Sequence, residues 1–246
     1  MRLSWKDEHT EELIEEHINR MLEHWKAYSR VYRAPLKRLF RELGDVDDLV
    51  KCALIMHDVG KLVPRYQKYL RGEVKLGWYR HEVVSAAITA VTFSSRPWRA
   101  QVSAAILLSH EPILMGQVSR TSEKYFTLTY AERVLRLGGD GSSVRLEEDG
   151  VRILNDLLNR ERFKERVAQK YQVDECINAL KEIVAAIAIS GNKLIERLRV
   201  AALIHVLTVI DSLTASKNRR NDEGGTFVTR YAQLAEVVEV MGYGGV

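Results

Sequence analysis

The sequence predicts an α-helical bundle carrying one small β-hairpin. Apolar residues recur at three- and four-residue spacing over most of the chain, the period of a helix with one buried face. Pro64, Pro97 and Pro112, with Gly44, Gly72 and Gly191, fall between those stretches and punctuate them. Strand-like sequence is confined to residues 113–150, which also hold Gly138, Gly139, Gly141 and Gly150.

The first helix is expected over residues 8–28, with Ile14, Ile18, Met21, Leu22, Trp25 and Tyr28 on one face. His17 borders that face between Ile14 and Met21; His24 follows two turns later, and His9 lies in the first turn. Residues 35–43 read as a short helix, with Pro35 in its first turn and Gly44 at its end. Asp45 suits the cap of the next helix, residues 46–58, and Asp47 and Asp48 suit its positive end. The segment R-Y-Q-K-Y-L-R after Pro64 reads as a loop with one or two helical turns.

His81 opens a helix of small residues whose backbone neighbours can approach closely, and residues 98–109 form another apolar helix closed by Pro112. Residues 113–150 read as a loop and hairpin insertion with Asp149-Gly150 as its tight turn. Residues 153–172 are amphipathic and charged, and residues 174–190 form a helix ended by Gly191. The longest helix spans residues 193–217 and is apolar nearly all round its centre, as a buried central helix should be. A last helix is expected over residues 228–241, followed by a frayed tail at 242–246.

With 246 residues, the chain is read as one domain, 1–246, with an ordinary apolar and charged content. Its formal charge of +4 is compatible with a polyanionic partner. Cys52 and Cys176 stand far apart with no C-x-x-C, so neither a zinc ribbon nor a disulfide framework is indicated. The N-terminus lacks the apolar core of a signal peptide, and residues 200–213 are too short to span a bilayer, so a cytoplasmic protein without a membrane partner is expected. No P-loop, G-x-G-x-x-G or Ser/His/Asp constellation is present.

The chemistry concentrates at residues 52–61, C-A-L-I-M-H-D-V-G-K, where an apolar helix runs into His57, Asp58 and Lys61. Imidazole and carboxylate together suit a divalent transition metal. The helix at 98–109 also ends in such a pair, His110-Glu111. Asp211 lies inside the apolar run of the longest helix, where a carboxylate is costly unless paired or on a metal. His205 is six residues earlier, roughly 240° around the axis, and reads as a structural core histidine. The candidate ligands are His17, with His9 and His24 as alternatives to it, and His57, Asp58, His81, His110, Glu111 and Asp211. Drawn from several helices, they exceed what one zinc needs and fit two divalent ions bridged by Asp58. Two such ions generate hydroxide near neutral pH for attack on a phosphate ester. Lys61 is placed to neutralise a phosphate oxygen.

These residues resemble the signature of the HD superfamily of metal-dependent phosphohydrolases, laid over His17, His57-Asp58, His81, His110 and Asp211. More narrowly, H-D-V-G-K at 57–61, R-H-E-V-V-S-A at 80–86, S-H-E at 109–111 and V-I-D-S-L-T-A at 209–215 resemble the stand-alone HD nucleases of type I CRISPR interference. The resemblance implies an all-α HD-domain bundle and a two-metal site using manganese, nickel, cobalt or magnesium. It implies nicking and trimming of single-stranded DNA fed by a separate helicase subunit, within antiviral defence by an RNA-guided surveillance complex. Many members carry two consecutive histidines where this chain has His110-Glu111, a harder pair favouring manganese or magnesium. A basic groove would hold the strand, with Arg65, Lys68, Arg71, Lys75, Arg80, Lys217, Arg219 and Arg220 as contributors. The competing readings are a phosphohydrolase of small nucleotides and a non-catalytic subunit of the interference complex.

Overall fold

A computed structural model describes residues 2–6, 11–77, 79–109, 127–189 and 191–218. The chain enters through β1 (Leu3–Lys6), which pairs antiparallel with β2 (Glu11–Leu13). Helix α1 (Ile14–Phe40) follows directly, then α2 (Val46–Met56), a 3-10 turn (Val59–Leu62) and α3 (Pro64–Leu70). Helices α4 (His81–Thr92) and α5 (Arg99–Leu107) complete the first half. Then come α6 (Leu128–Leu137), β3 (Ser143–Arg145), α7 (Glu148–Arg160) and β4 (Lys170–Gln172). Helix α8 (Val173–Val184) runs into a π-helical turn (Ala185–Ile189), and α9 (Lys193–Asn218) closes the described fold.

One apolar core joins these helices. Ile14, Ile18, Met21 and Trp25 of α1 are buried at the predicted spacing, with Leu49, Ile55 and Met56 of α2 and Val83, Val84 and Ile88 of α4. The small residues of α4 do what their size suggests: Ser85, Ala86, Ala87 and Ala90 are buried where α4 packs on α5, α8 and the 3-10 turn. Asp45 caps α2 through a 2.8 Å bond from the Asp47 N–H, as its position predicts.

Several elements differ from expectation. The first helix does not begin near residue 8: residues 11–13 form a strand whose register brings Leu3 opposite Leu13. Nor does Pro35 open a new helix, because α1 runs through it to Phe40. Pro35 is exposed and Val31, four residues earlier, is 68% exposed, so the carbonyl that the proline leaves without a partner faces water. Asp149 and Gly150 form no turn; they lie in the first turn of α7. There Gly150 is pressed against Leu62, whose Cδ2 would stand 2.4 Å from an added Cβ.

The amphipathic stretch 153–172 is likewise divided, helical only to Arg160 and then extended into β4. The expected small antiparallel pairing is present, but its strands are β3 and β4, separated by all of α7. Residues 113–126 of the expected insertion, the helix at 228–241 and the tail at 242–246 lie outside the described residues. Helix α9 is longer in its apolar reach than residues 200–213: by length and composition, Lys193–Ala215 is long and apolar enough to cross a membrane. It packs against α1, α2 and α5, the position of a central core helix.

Candidate metal centre

The end of α2 delivers the first pair. His57 caps the helix, and its Nδ1 donates to the Leu54 carbonyl at 2.9 Å. That bond places the proton on Nδ1 and leaves the Nε2 lone pair for a ligand. His57 Nε2 is buried and has no hydrogen-bond partner among the described residues. Burial lowers the pKa of this imidazole, outweighing the pull of Asp58 and Asp211, so the neutral ligating form is favoured.

Asp58 follows at the head of the 3-10 turn and is 1% exposed. Its Oδ2 accepts Lys61 Nζ at 2.6 Å and the Ser4 hydroxyl at 3.2 Å, and it lies 3.4 Å from His57 Nε2. Its Oδ1 faces the other way, 3.3 Å from His81 Nε2. Burial alone would raise the Asp58 pKa, but His57, Lys61 and His81 hold it well below the usual carboxylate range. Lys61 is pushed up to about 12: burial opposes its charge, and Asp58 more than restores it.

His17 joins from α1. Its Nε2 lies 3.1 Å from Asp211 Oδ1 on α9, and its Nδ1 lies 3.1 Å from Glu12 Oε1 on β2. Burial would lower its pKa, yet these two carboxylates raise it to about 9. A position that favours a proton so strongly also favours a metal cation. His17, His57 and Asp58 offer ligand atoms that all lie within 4.8 Å of one another. The buried nitrogen of His57 and this neighbouring donor set of imidazoles and carboxylates fit a divalent ion.

The structure therefore brings together His17, His57, Asp58, Lys61, His81 and Asp211 from α1, the end of α2, the start of α4 and the middle of α9. His24 does not join them; its ring lies 6.4 Å from that of Tyr28. His9, His110, Glu111, Arg219, Arg220 and the Lys217 side chain lie outside the described residues. Arg65 is exposed on α3 and lines a separate cleft with Asp140 and Arg145. His205 faces away from the cluster, as its helical angle predicts, but it is exposed and not in the core; its Nε2 lies 3.2 Å from the Tyr32 hydroxyl. The apolar run around it is buried on one side only, because α9 has neighbours on that side.

Sequence reasoning missed four contributors. Ser4 and Glu12 come from the N-terminal strands, where no strand was expected. Gln67 is fully buried and ties three backbone groups: its Oε1 accepts the Leu3 N–H at 3.0 Å, and its Nε2 donates to the Leu3 and Lys61 carbonyls, each at 2.9 Å. Ser85 accepts the Gly60 N–H at 2.9 Å. Glu12 had one usable signal, since ligating histidines commonly carry a carboxylate behind the ring; Ser4 and Gln67 had none.

No family model matches the chain. Three curated relatives, each called "CRISPR-associated endonuclease Cas3-HD", do. Those from Pyrococcus furiosus and Methanocaldococcus jannaschii are 32% and 30% identical, each over 46% of this chain. The alignments span only about half of those two relatives, 52% and 50% of their lengths. The relative from Thermoproteus tenax is 29% identical over 91% of this chain and 92% of its own. The chain is thus similar to Cas3-HD proteins along most of its length. A solved Cas3 HD domain protein from M. jannaschii has the same fold, with a TM-score of 0.60 at 22% identity, covering 83% of this chain and 98% of the other. In this chain the H-D-V-G-K and H-E-V-V-S-A segments meet at Asp58, Gly60, His81 and Ser85.

Proposed function

We propose that this chain is a Cas3-HD-type, metal-dependent nuclease that degrades single-stranded DNA in CRISPR antiviral defence. The observation that carries the reading is the buried, ligand-ready His57 Nε2 beside Asp58 and His17. The endonuclease names of its relatives support the same reaction class. His17, His57, Asp58 and Asp211 would hold one divalent ion. His81 would contribute to a second through the other face of Asp58, with His110 and Glu111 as its remaining candidates. Manganese, nickel, cobalt or magnesium suits this donor set. Bound there, divalent ions supply positive charge to a phosphodiester and make water acidic enough to be the nucleophile near neutral pH.

The chain's own residues do the rest. Asp58 presents its two oxygens toward different imidazoles, the arrangement a bridging carboxylate needs. Lys61 stays protonated through the working range and offers its charge to a non-bridging phosphate oxygen. A helicase would be a separate subunit delivering the strand from the RNA-guided surveillance complex. Cutting would be endonucleolytic and then trimming, in the cytoplasm.

The test is metal content and cleavage of single-stranded DNA for wild type, Asp58→Ala and Lys61→Ala, with nucleoside monophosphates and cyclic nucleotides as competing substrates. Asp58→Ala is expected to lose both metal and cutting, and Lys61→Ala to keep metal and cut more slowly. Turnover of the small nucleotides with none of DNA would replace the nuclease reading. An Asp58→Ala protein that keeps full metal and activity would end it.

A further inference from the structure

Helix α3 sorts its residues by face. Tyr66 and Gln67 point inward, at 8% and 0% exposure, while Arg65, Lys68 and Tyr69 share the outer face at i, i+3 and i+4 spacing. Tyr69 is 40% exposed, high for an aromatic ring in a chain that buries Tyr66 and Tyr79. The inner and outer faces are joined by rings. The exposed Tyr69 ring lies 5.7 Å from Tyr66 in an edge contact, and Tyr66 lies 5.5 Å from His81, again edge-on. Two ring-to-ring steps therefore lead from solvent to an imidazole of the metal centre. Tyr66 is braced behind by Tyr79, at 5.9 Å, whose hydroxyl donates to the Gly60 carbonyl at 2.7 Å. Gln67 locks the next residue of α3 to Lys61 and Leu3. The platform is thus held to the same backbone that carries Asp58.

An exposed aromatic ring flanked by cations on a rigid element is the pairing that non-specific single-strand binders use: cations track the phosphates and the ring stacks a base. We propose that the outer face of α3 is a strand-binding platform, with Tyr69 stacking a base of the nucleic acid close to the metal centre while Lys68 and Arg65 engage its phosphates. This rests on the nuclease reading and adds to it a stacking residue and the side from which the strand arrives. Tyr69 is then a substrate-positioning residue two rings removed from the reacting phosphate. Because every base has a π-face, the contact is tolerant of sequence.

The experiment is fluorescence anisotropy on the full chain in chelator, so that no strand is cut. It uses a labelled 12-nucleotide oligodeoxythymidine and an abasic strand of equal length, with wild type, Tyr69→Ala, Tyr69→Phe and Lys68→Ala. Tyr69→Ala is expected to weaken the thymidine strand roughly 5- to 150-fold and to leave the abasic strand unchanged. Tyr69→Phe, which keeps the ring, should bind as wild type. Lys68→Ala should weaken both strands equally and reduce the salt slope by about 0.7. Equal affinity of wild type and Tyr69→Ala for the thymidine strand would overturn the proposal, and so would an equal loss on both strands. Binding of neither strand by the wild type would overturn the nuclease reading along with it. Metal titration calorimetry of each variant verifies that the centre beneath α3 is intact.

Discussion

Gly60 and His81 are in backbone contact that no other residue at position 60 could make. A Cβ at Gly60 would stand 2.2 Å from the His81 carbonyl oxygen and 2.9 Å from its carbon. On the other side, the Gly60 N–H donates to Ser85 Oγ, one turn further along α4. The glycine after the His57-Asp58 pair is thus a packing requirement: it lets α4 come close enough for His81 to reach Asp58. Replacing Gly60 by Ala forces two main-chain segments apart. The expected cost is on the order of 1–3 kcal/mol in denaturant unfolding, with weaker metal binding by calorimetry. An unchanged unfolding midpoint would show that the contact is not needed.

Gln67 ties β1 to the centre, and its loss should be felt there. Gln67→Ala leaves the Leu3 N–H and two carbonyls without partners and should cost on the order of 2–3 kcal/mol. Gln67→Glu should be worse, because a carboxylate cannot donate to the Leu3 and Lys61 carbonyls. Hydrogen exchange at residues 3–6 reads this directly: both variants should exchange faster there than wild type. Ser4 would then lose its fixed place on Asp58 Oδ2.

His205 and His17 are both histidines on apolar helices, and they should behave oppositely. His205→Ala removes an exposed ring whose contact is the Tyr32 hydroxyl, so stability should change by less than about 0.5 kcal/mol. His17→Ala should abolish tight metal binding, because it removes the imidazole between Asp211 and Glu12. Calorimetry and thermal unfolding on the two variants settle the contrast.

Acid should probe the Arg96–Glu165 pair. Arg96 Nε and Nη2 donate to the two oxygens of Glu165 at 2.5 and 3.0 Å, with the guanidinium 5.9 Å from Trp98 and 6.0 Å from Phe163. The Arg96 bonds lower the Glu165 pKa below its ordinary 4.5, against the smaller effect of burial. The folded pKa lies below the unfolded one, so this stabilisation is present above pH 4.5 and is lost as pH falls through the folded value. Wild type should exceed Glu165→Gln in stability by a constant amount at neutral pH, and the gap should close on acidification. A gap unchanged down to pH 2 would rule the pair out as its source.

Local pattern reached far into this protein. The buried stripe of α1, the capped start of α2, the small-residue face of α4 and the apolar centre of α9 follow from spacing and residue size, because they depend on neighbours three or four positions away. The cluster was legible for a related reason: His57, Asp58 and Asp211 are polar groups in apolar runs, and such placement is costly without a partner. His17 was one of three histidines in the stretch read as the first helix, and the fold is what set it apart from His24.

What escaped the sequence depends on neighbours far along the chain. Leu3–Lys6 alternates apolar and polar residues, but four residues are too short a run to announce a strand, and it becomes one because Glu11–Leu13 and the Gln67 amide complete its backbone hydrogen bonds. Asp149-Gly150 carries turn chemistry, but Leu62 and the start of α7 claim it. Residue types and their spacing determined that this chain would be helical and would hold imidazoles and carboxylates for a divalent ion. Tertiary structure alone decided which oxygen of Asp58 faces which histidine, that Ser4 and Lys61 share the Oδ2 that lies nearest His57, and that Tyr69 stands exposed two rings from His81. Those relations are set by contacts between segments tens of residues apart, and local periodicity carries no information about them.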